Sequence, residues 1–199
     1  MKILTIGASG TIGSAVVAAL AARGHDVVAV SRSTEPSVDL TDPSSIEALF
    51  DAVGPVDAVV CAAGGNPFVA LPDATPADFA AGFGDKLGGQ INLVLSAQHR
   101  ITDGGSITLI TGVLAREPIA TGSIATAING GLEAFVTAAA LELPRGIRIN
   151  AVSPTVITEA LDAYGDFFPG FEPVPAAAAA TAFVKSVEGI MTGRVFPVG

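Results

Sequence analysis

Apolar residues in this chain gather in short continuous runs, separated by longer stretches in which they recur at helical spacing. The runs are KILTI, VVAVS, a brief VDL, DAVVCAA, SITLIT, IRINAVS and RVFPV; the stretches between them predict helices over 11–23, 43–53, 76–100 and 121–143, with an Ala-rich helix AAAAATAF near the end. Strands with no polar alternation are buried on both faces, and helices between them act as right-handed crossovers. The pattern therefore predicts an α/β fold, a doubly wound parallel sheet flanked by helices, in a single domain spanning residues 1–199.

One crossover is missing from this scheme. Only RSTEPS separates VVAVS from VDL, fewer than the roughly ten residues a crossover helix needs, so one helix of the winding is expected to be trimmed to a loop. A second irregularity spans 159–175, where DAYGDFFPGFEPVP interrupts the alternation. Long irregular segments in compact domains often serve a binding site, and this one is expected to be a lid or substrate loop.

Composition narrows the function classes. A net charge of −9 argues against nucleic-acid binding, which needs clustered Lys and Arg. No apolar run reaches the roughly 18–20 residues of a membrane span, and KILTIG opens the chain as a strand rather than as a signal peptide. A cytoplasmic protein is expected. The lone Cys61 reads as a small buried hydrophobe, and neither His25 nor His99 has a neighbour at metal-ligand spacing, so no metal site is expected.

The chemistry begins directly after the first strand, with GASGTIG. Gly7, Gly10 and Gly13, with Ser9, Thr11 and Ile12 between them, allow a tight turn that brings backbone N–H groups and a helix N-terminus to a pyrophosphate. Strand, turn, helix and second strand follow in the order that dinucleotide binding requires. The second strand ends in Ser31, Arg32 and Ser33, a cation and two hydroxyls suited to a 2′-phosphate, where an acidic residue would have suited the free ribose of NAD. NADP(H) is accordingly expected over NAD(H).

With IGASGTIG, VDLTD, VVCAAGG, SITLITG, INAVSPTVI and TGRVFPVG in this order, the chain resembles the short-chain dehydrogenase/reductase family over nearly its whole length. The resemblance implies a Rossmann-like sheet, with Asp39 and Leu40 at the adenine and Ala62, Ala63, Gly64 and Gly65 beneath the riboses. It implies that Pro154, Thr155, Val156 and Ile157 border the nicotinamide. It also implies a small-molecule substrate and a homodimer or homotetramer. The glycine spacing is Gly-x-x-Gly-x-x-Gly, as in atypical members, and Thr155 stands where the family usually has glycine.

The same resemblance withdraws the usual mechanism. Aligned on the family's Tyr-x-x-x-Lys helix, ATGSIATAINGGLEAF puts Ala125 at the tyrosine and Asn129 at the lysine; Gly112 falls at the serine, and Lys86 at a family asparagine. Four residues are left as candidates for the work of the missing acid. Lys86 would stabilise an oxyanion or bind ribose and phosphate, unless it merely pairs with Asp85. Thr111 would polarise a carbonyl, Asn129 would hold the ribose, and Tyr164 would act from the lid. Ser123 and Thr126 read as helix-start groups. The expected activity is an NADP(H)-dependent oxidoreductase with non-standard proton delivery, acting on a small carbonyl, enone or quinone-like acceptor; the alternative is a non-catalytic NADP(H)-binding sensor or partner protein.

Overall fold

The computed structural model describes residues 1–199 as six parallel strands between two layers of helix. The strands are β1 (Lys2–Ile6), β2 (Asp26–Val30), β3 (Val56–Cys61), β4 (Ile101–Ile110), β5 (Arg148–Pro154) and β6 (Arg194–Val198), in the order β2-β1-β3-β4-β5-β6. The helices are α1 (Thr11–Ala22), α2 (Pro43–Val53), α3 (Pro76–Gly82), α4 (Gly89–Ala97), α5 (Ser123–Glu142), the single turn α6 (Leu161–Tyr164) and α7 (Ala176–Glu188). The predicted doubly wound Rossmann-like sheet is therefore the observed one.

Alternation along each strand divides the core in two. Leu4, Ile6, Val59, Cys61, Ile107 and Leu109 face α2, α4 and α5, meeting Phe50, Leu93 and Ile128. Ile3, Ala58, Val60 and Val152 face the other way, onto Val16 and Leu20 of α1 and Phe183 of α7. Both faces are covered, which is why these strands read as continuous apolar runs. Local signals set the helix starts: the Asp42 carboxylate accepts from Ser44 N ahead of Pro43, and Thr75 and Asp78 form a reciprocal capping box around Pro76.

Three expectations need correction. The VDL run forms no strand, and the sheet ends at β2; Asp39 N donates to Ser45 Oγ rather than to a ladder, while loop 32–37 carries no crossover helix, as expected. The single helix expected over 76–100 is α3 and α4 joined by a π-helical turn, Phe83–Gly88. Finally, α5 is by length and composition apolar enough to cross a membrane, with a mean hydropathy of 1.4 over its best window. Its inward residues Ile124, Ile128, Leu132 and Val136 are fully buried in the core.

Candidate functional site

The chain winds from β1 to β2 on one side and from β2 back to β3 on the other, so a crevice opens at the C-terminal ends of β1 and β3, where open α/β sheets bind ligands. The turn out of β1 shapes it. Gly7 sits at φ +82°, where an added Cβ would lie 2.7 Å from the Ala62 backbone, and a Cβ at Gly13 would lie 2.0 Å from Gly7 O. Gly10 is the N-cap of α1 and has no side chain to satisfy the first-turn N–H groups, which leaves those donors for an anion. Gly13 does not line the crevice; its part is to let α1 close onto the turn.

The crevice has a volume of about 1190 Å³. Ser9, Gly10, Thr11 and Ile12 form one wall, and Ser31, Arg32, Ser33, Asp39 and Leu40 close the end beyond β2. Ala62 to Gly65, Val156 and Ile157 supply the middle and the far end. Arg32 is exposed, while Ser31 is buried and shares a hydrogen bond with Ser33 (Oγ to Oγ, 3.1 Å). Asp39 is held below the ordinary carboxylate range, first by the Thr41 hydroxyl and backbone N–H and in smaller part by the Arg32 charge. A glycine turn, a free helix N-terminus and a crevice of this volume fit a dinucleotide.

Pro154 and Thr155 line instead a second, smaller cavity of about 170 Å³. Gly112 and Ala125, where the resemblance sets the serine and the tyrosine, both lie on its wall, together with Val113, Leu114 and Asn129. Phe68 and Phe168 are shared with the main crevice.

At the rear of this cavity stands Lys86, carried on the π-turn and only 7% exposed. Its ammonium donates to Asn129 Oδ1 (2.9 Å) and to the Thr111 carbonyl oxygen (3.3 Å). It does not pair with Asp85, which accepts from Gly65 N at 2.9 Å. Burial pushes the Lys86 ammonium down to about 8. The same environment pushes the Cys61 thiol up to about 12, so the thiol is uncharged wherever Lys86 titrates, and Asp85 is the charge that opposes the shift.

Of the other two candidates, Thr111 lines the small cavity and Tyr164 lines only the main crevice. The Thr111 hydroxyl, expected to polarise a carbonyl, donates to Glu133 Oε1 at 3.0 Å; that carboxylate also accepts from Ser153 Oγ (3.0 Å) and Arg116 (3.2 Å) and holds the hydroxyl there. Tyr164 lies on the rim of the main crevice, 44% exposed, its ring 6.0 Å from that of Phe68. Ser123 and Thr126 do not cap α5: its N-cap is Gly122, and both hydroxyls are buried without a partner.

Sequence reasoning passed over Gln90 and Glu133. The fully buried Gln90 amide accepts from Ile110 N and donates to Ile110 O and Ala63 O, tying the ends of β3 and β4 together. The signals were a lone amide after KLGG and a lone carboxylate within GGLEAFV.

An open parallel sheet with a glycine turn at its switch point defines a dinucleotide-binding type of α/β protein. Residues 7–190 match the family described as Enoyl-(Acyl carrier protein) reductase, and the chain belongs to the short-chain dehydrogenase/reductase family of oxidoreductases. It is similar to L-xylulose reductase from Mesocricetus auratus, at 33% identity over 178 residues covering 78% of this chain and 71% of the relative. Among solved structures, the protein lin1944 from Listeria innocua superposes with a TM-score of 0.97 at 48% identity, with both chains covered in full. A small-chain dehydrogenase solved in complex with NADPH superposes with a TM-score of 0.88 at 26% identity, covering 100% of this chain and 96% of the other.

Proposed function

We propose that this protein is a cytoplasmic NADP(H)-dependent oxidoreductase that reduces a small carbonyl, enone or quinone-like acceptor without a tyrosine acid. The observation that carries the reading is the buried Lys86 ammonium, 2.9 Å from Asn129, behind a small cavity that adjoins the dinucleotide crevice. An orphaned structural domain has no reason to keep a charge there, since an isolated buried ammonium is strongly disfavoured. Arg32 beside Ser31 and Ser33 supports the 2′-phosphate, and the NADPH held by a 26% identical relative agrees with it. The family's description as enoyl reductases supports a conjugated acceptor.

When bound, the nicotinamide supplies the hydride; the protein's own residues bind and orient it, exclude water and hold the developing negative charge. General acid help is worth only about 10² to 10⁴-fold, so a site without a tyrosine acid can still accelerate reduction. Segment 159–175, with Tyr164 and Phe168 on the crevice wall, serves as the lid. The chain assembles as a homodimer or homotetramer through the outer faces of α4 and α5, where Leu95 and Leu141 stand exposed.

Calorimetric titration with NADPH and NADH tests the cofactor, and an acceptor screen tests turnover. Micromolar NADPH binding, with NADH at least tenfold weaker (about 1.4 kcal/mol), is expected. Tight NADPH binding with no turnover of any acceptor would make the protein a sensor or partner subunit, and no binding of either cofactor would remove the reading altogether.

A further inference from the structure

The small cavity holds one polar device whose orientation is chemically determined. Asn129, 4% exposed, accepts from Lys86 Nζ. An ammonium is donor-only, so the amide atom it meets must be the oxygen, and the choice between Oδ1 and Nδ2 is not free. The –NH₂ branch is thereby turned toward Gly112, where an added Cβ would lie 3.4 Å from Nδ2. No group in the protein accepts from Nδ2. Thr155, on the same wall, also has a buried hydroxyl with no partner. Most of the remaining lining is apolar, with Val113, Leu114, Ala125, Phe68 and Phe168; the other polar side chains are Asn66 and Thr111, whose hydroxyl is held by Glu133.

On the reading of the protein as a nicotinamide-dependent reductase, we infer that this cavity seats the hydride acceptor and that Asn129 Nδ2 is the catalytic donor to its oxygen, with Lys86 as the positioning residue behind it. At about 170 Å³ the cavity suits a single six-membered ring, since a dry apolar cavity of about 150 Å³ takes up benzene. Lys86 fixes the amide and, by hydrogen-bonding its oxygen, strengthens the N–H as a donor.

This arrangement selects the acceptor. An amide N–H stabilises an oxyanion but does not surrender its proton, so the reduced product must stand as an anion until it leaves. Carbon gains a hydride from the reduced nicotinamide dinucleotide, the displaced π pair moves to oxygen, and the product is an enolate or a hydroquinonate. The final proton comes from water after release. Isolated ketones would have to leave as far more basic alkoxides. The substrate class is therefore a monocyclic enone or quinone.

The product anion can be mimicked without turnover by 4-nitrophenol, whose ionisation is visible by absorbance. Titrated into the NADP⁺-saturated protein, it should bind at least tenfold more tightly as phenolate than as phenol, so that its apparent pKa falls by one unit or more. Asn129→Leu should abolish that preference. Asn129→Asp keeps the Lys86 partner and so guards the fold, but it presents an acceptor and should also abolish it. Lys86→Met should reduce it. Phenolate preference unchanged in both Asn129 variants would overturn the assignment, as would displacement of 4-nitrophenol by NADP⁺, which would put the nicotinamide ring in the cavity. Should NADP⁺ fail to bind in calorimetry, the cofactor reading falls by itself, and the phenol titration of the free protein still decides the role of Asn129.

Discussion

The backbone of Gly64 lies against the stem of Lys86: a Cβ at Gly64, whose φ is +112°, would stand 2.8 Å from Lys86 Cγ and 3.0 Å from its Cα. The turn beneath the dinucleotide crevice and the buried ammonium are therefore one packed unit. Gly64→Ala is expected to cost roughly 1–3 kcal/mol from backbone strain and to push Lys86 out of reach of Asn129. Urea denaturation measures the first effect. NADPH titration measures the second, with weaker binding expected; unchanged stability and binding would show the contact to be soft.

Lys86 also makes stability depend on pH in an unusual direction. Its folded-state pKa of about 8 lies below the ordinary 10.5, so between those values the unfolded chain carries a proton that the folded chain does not. Stability then rises with pH. Relative to Lys86→Met, the wild type should gain roughly 2–3 kcal/mol between about pH 7 and about pH 10. Parallel denaturation curves for the two proteins across that range would remove the buried, depressed lysine from the account.

Arg32→Ala should weaken NADPH by about tenfold or more, the worth of a charge-assisted hydrogen bond of roughly 1.5–3 kcal/mol, and leave NADH within about twofold. Calorimetry at one fixed ionic strength is the check, because the contact is exposed and screened by salt. An equal loss for both cofactors would assign Arg32 to the loop's fold rather than to the 2′-phosphate.

Glu133 is the acceptor for Thr111, Ser153 and Arg116 together. Glu133→Ala leaves the fully buried Ser153 hydroxyl without that acceptor, a loss of roughly 1–3 kcal/mol. Thermal unfolding should show it, with the Lys86 titration unaltered if the network is structural.

Tyr164 sits on the crevice rim and does not line the small cavity. Tyr164→Phe is expected to leave acceptor reduction within about threefold, less than the smallest usual contribution of a general acid. A loss of a hundredfold or more would restore the lid hydroxyl as the proton donor.

The sheet, most helix bounds and the floor of the crevice were legible in the sequence, because burial on both faces erases alternation and a glycine turn has a fixed spacing. VDL was misread since three apolar-flanked residues look alike in a strand and in an extended loop; only the Ser45 hydroxyl on Asp39 N separates them. Lys86 was visible as a residue out of place, but not its choice of Asn129 over Asp85, which depends on the phase of a helix whose irregular turn leaves no mark in FGDKLG. Thr111 was misassigned because its hydroxyl answers to Glu133, 22 residues onward on a different element.

That irregular turn gives the helix two rotational settings. Upstream of Phe83–Gly88, Gly82 packs against Ile124 and Ile128 of α5; within the turn Lys86 reaches Asn129 of the same helix, and just beyond it Gln90 grips the strand ends. Loss of one residue from the turn would restore plain α-helix and rotate one half against the other by roughly 100°. Gly82 and Gln90 could not then both face inward. In this protein a single-codon deletion between residues 83 and 88 is a greater threat than most substitutions, and natural length variation should avoid the segment even where its side chains drift.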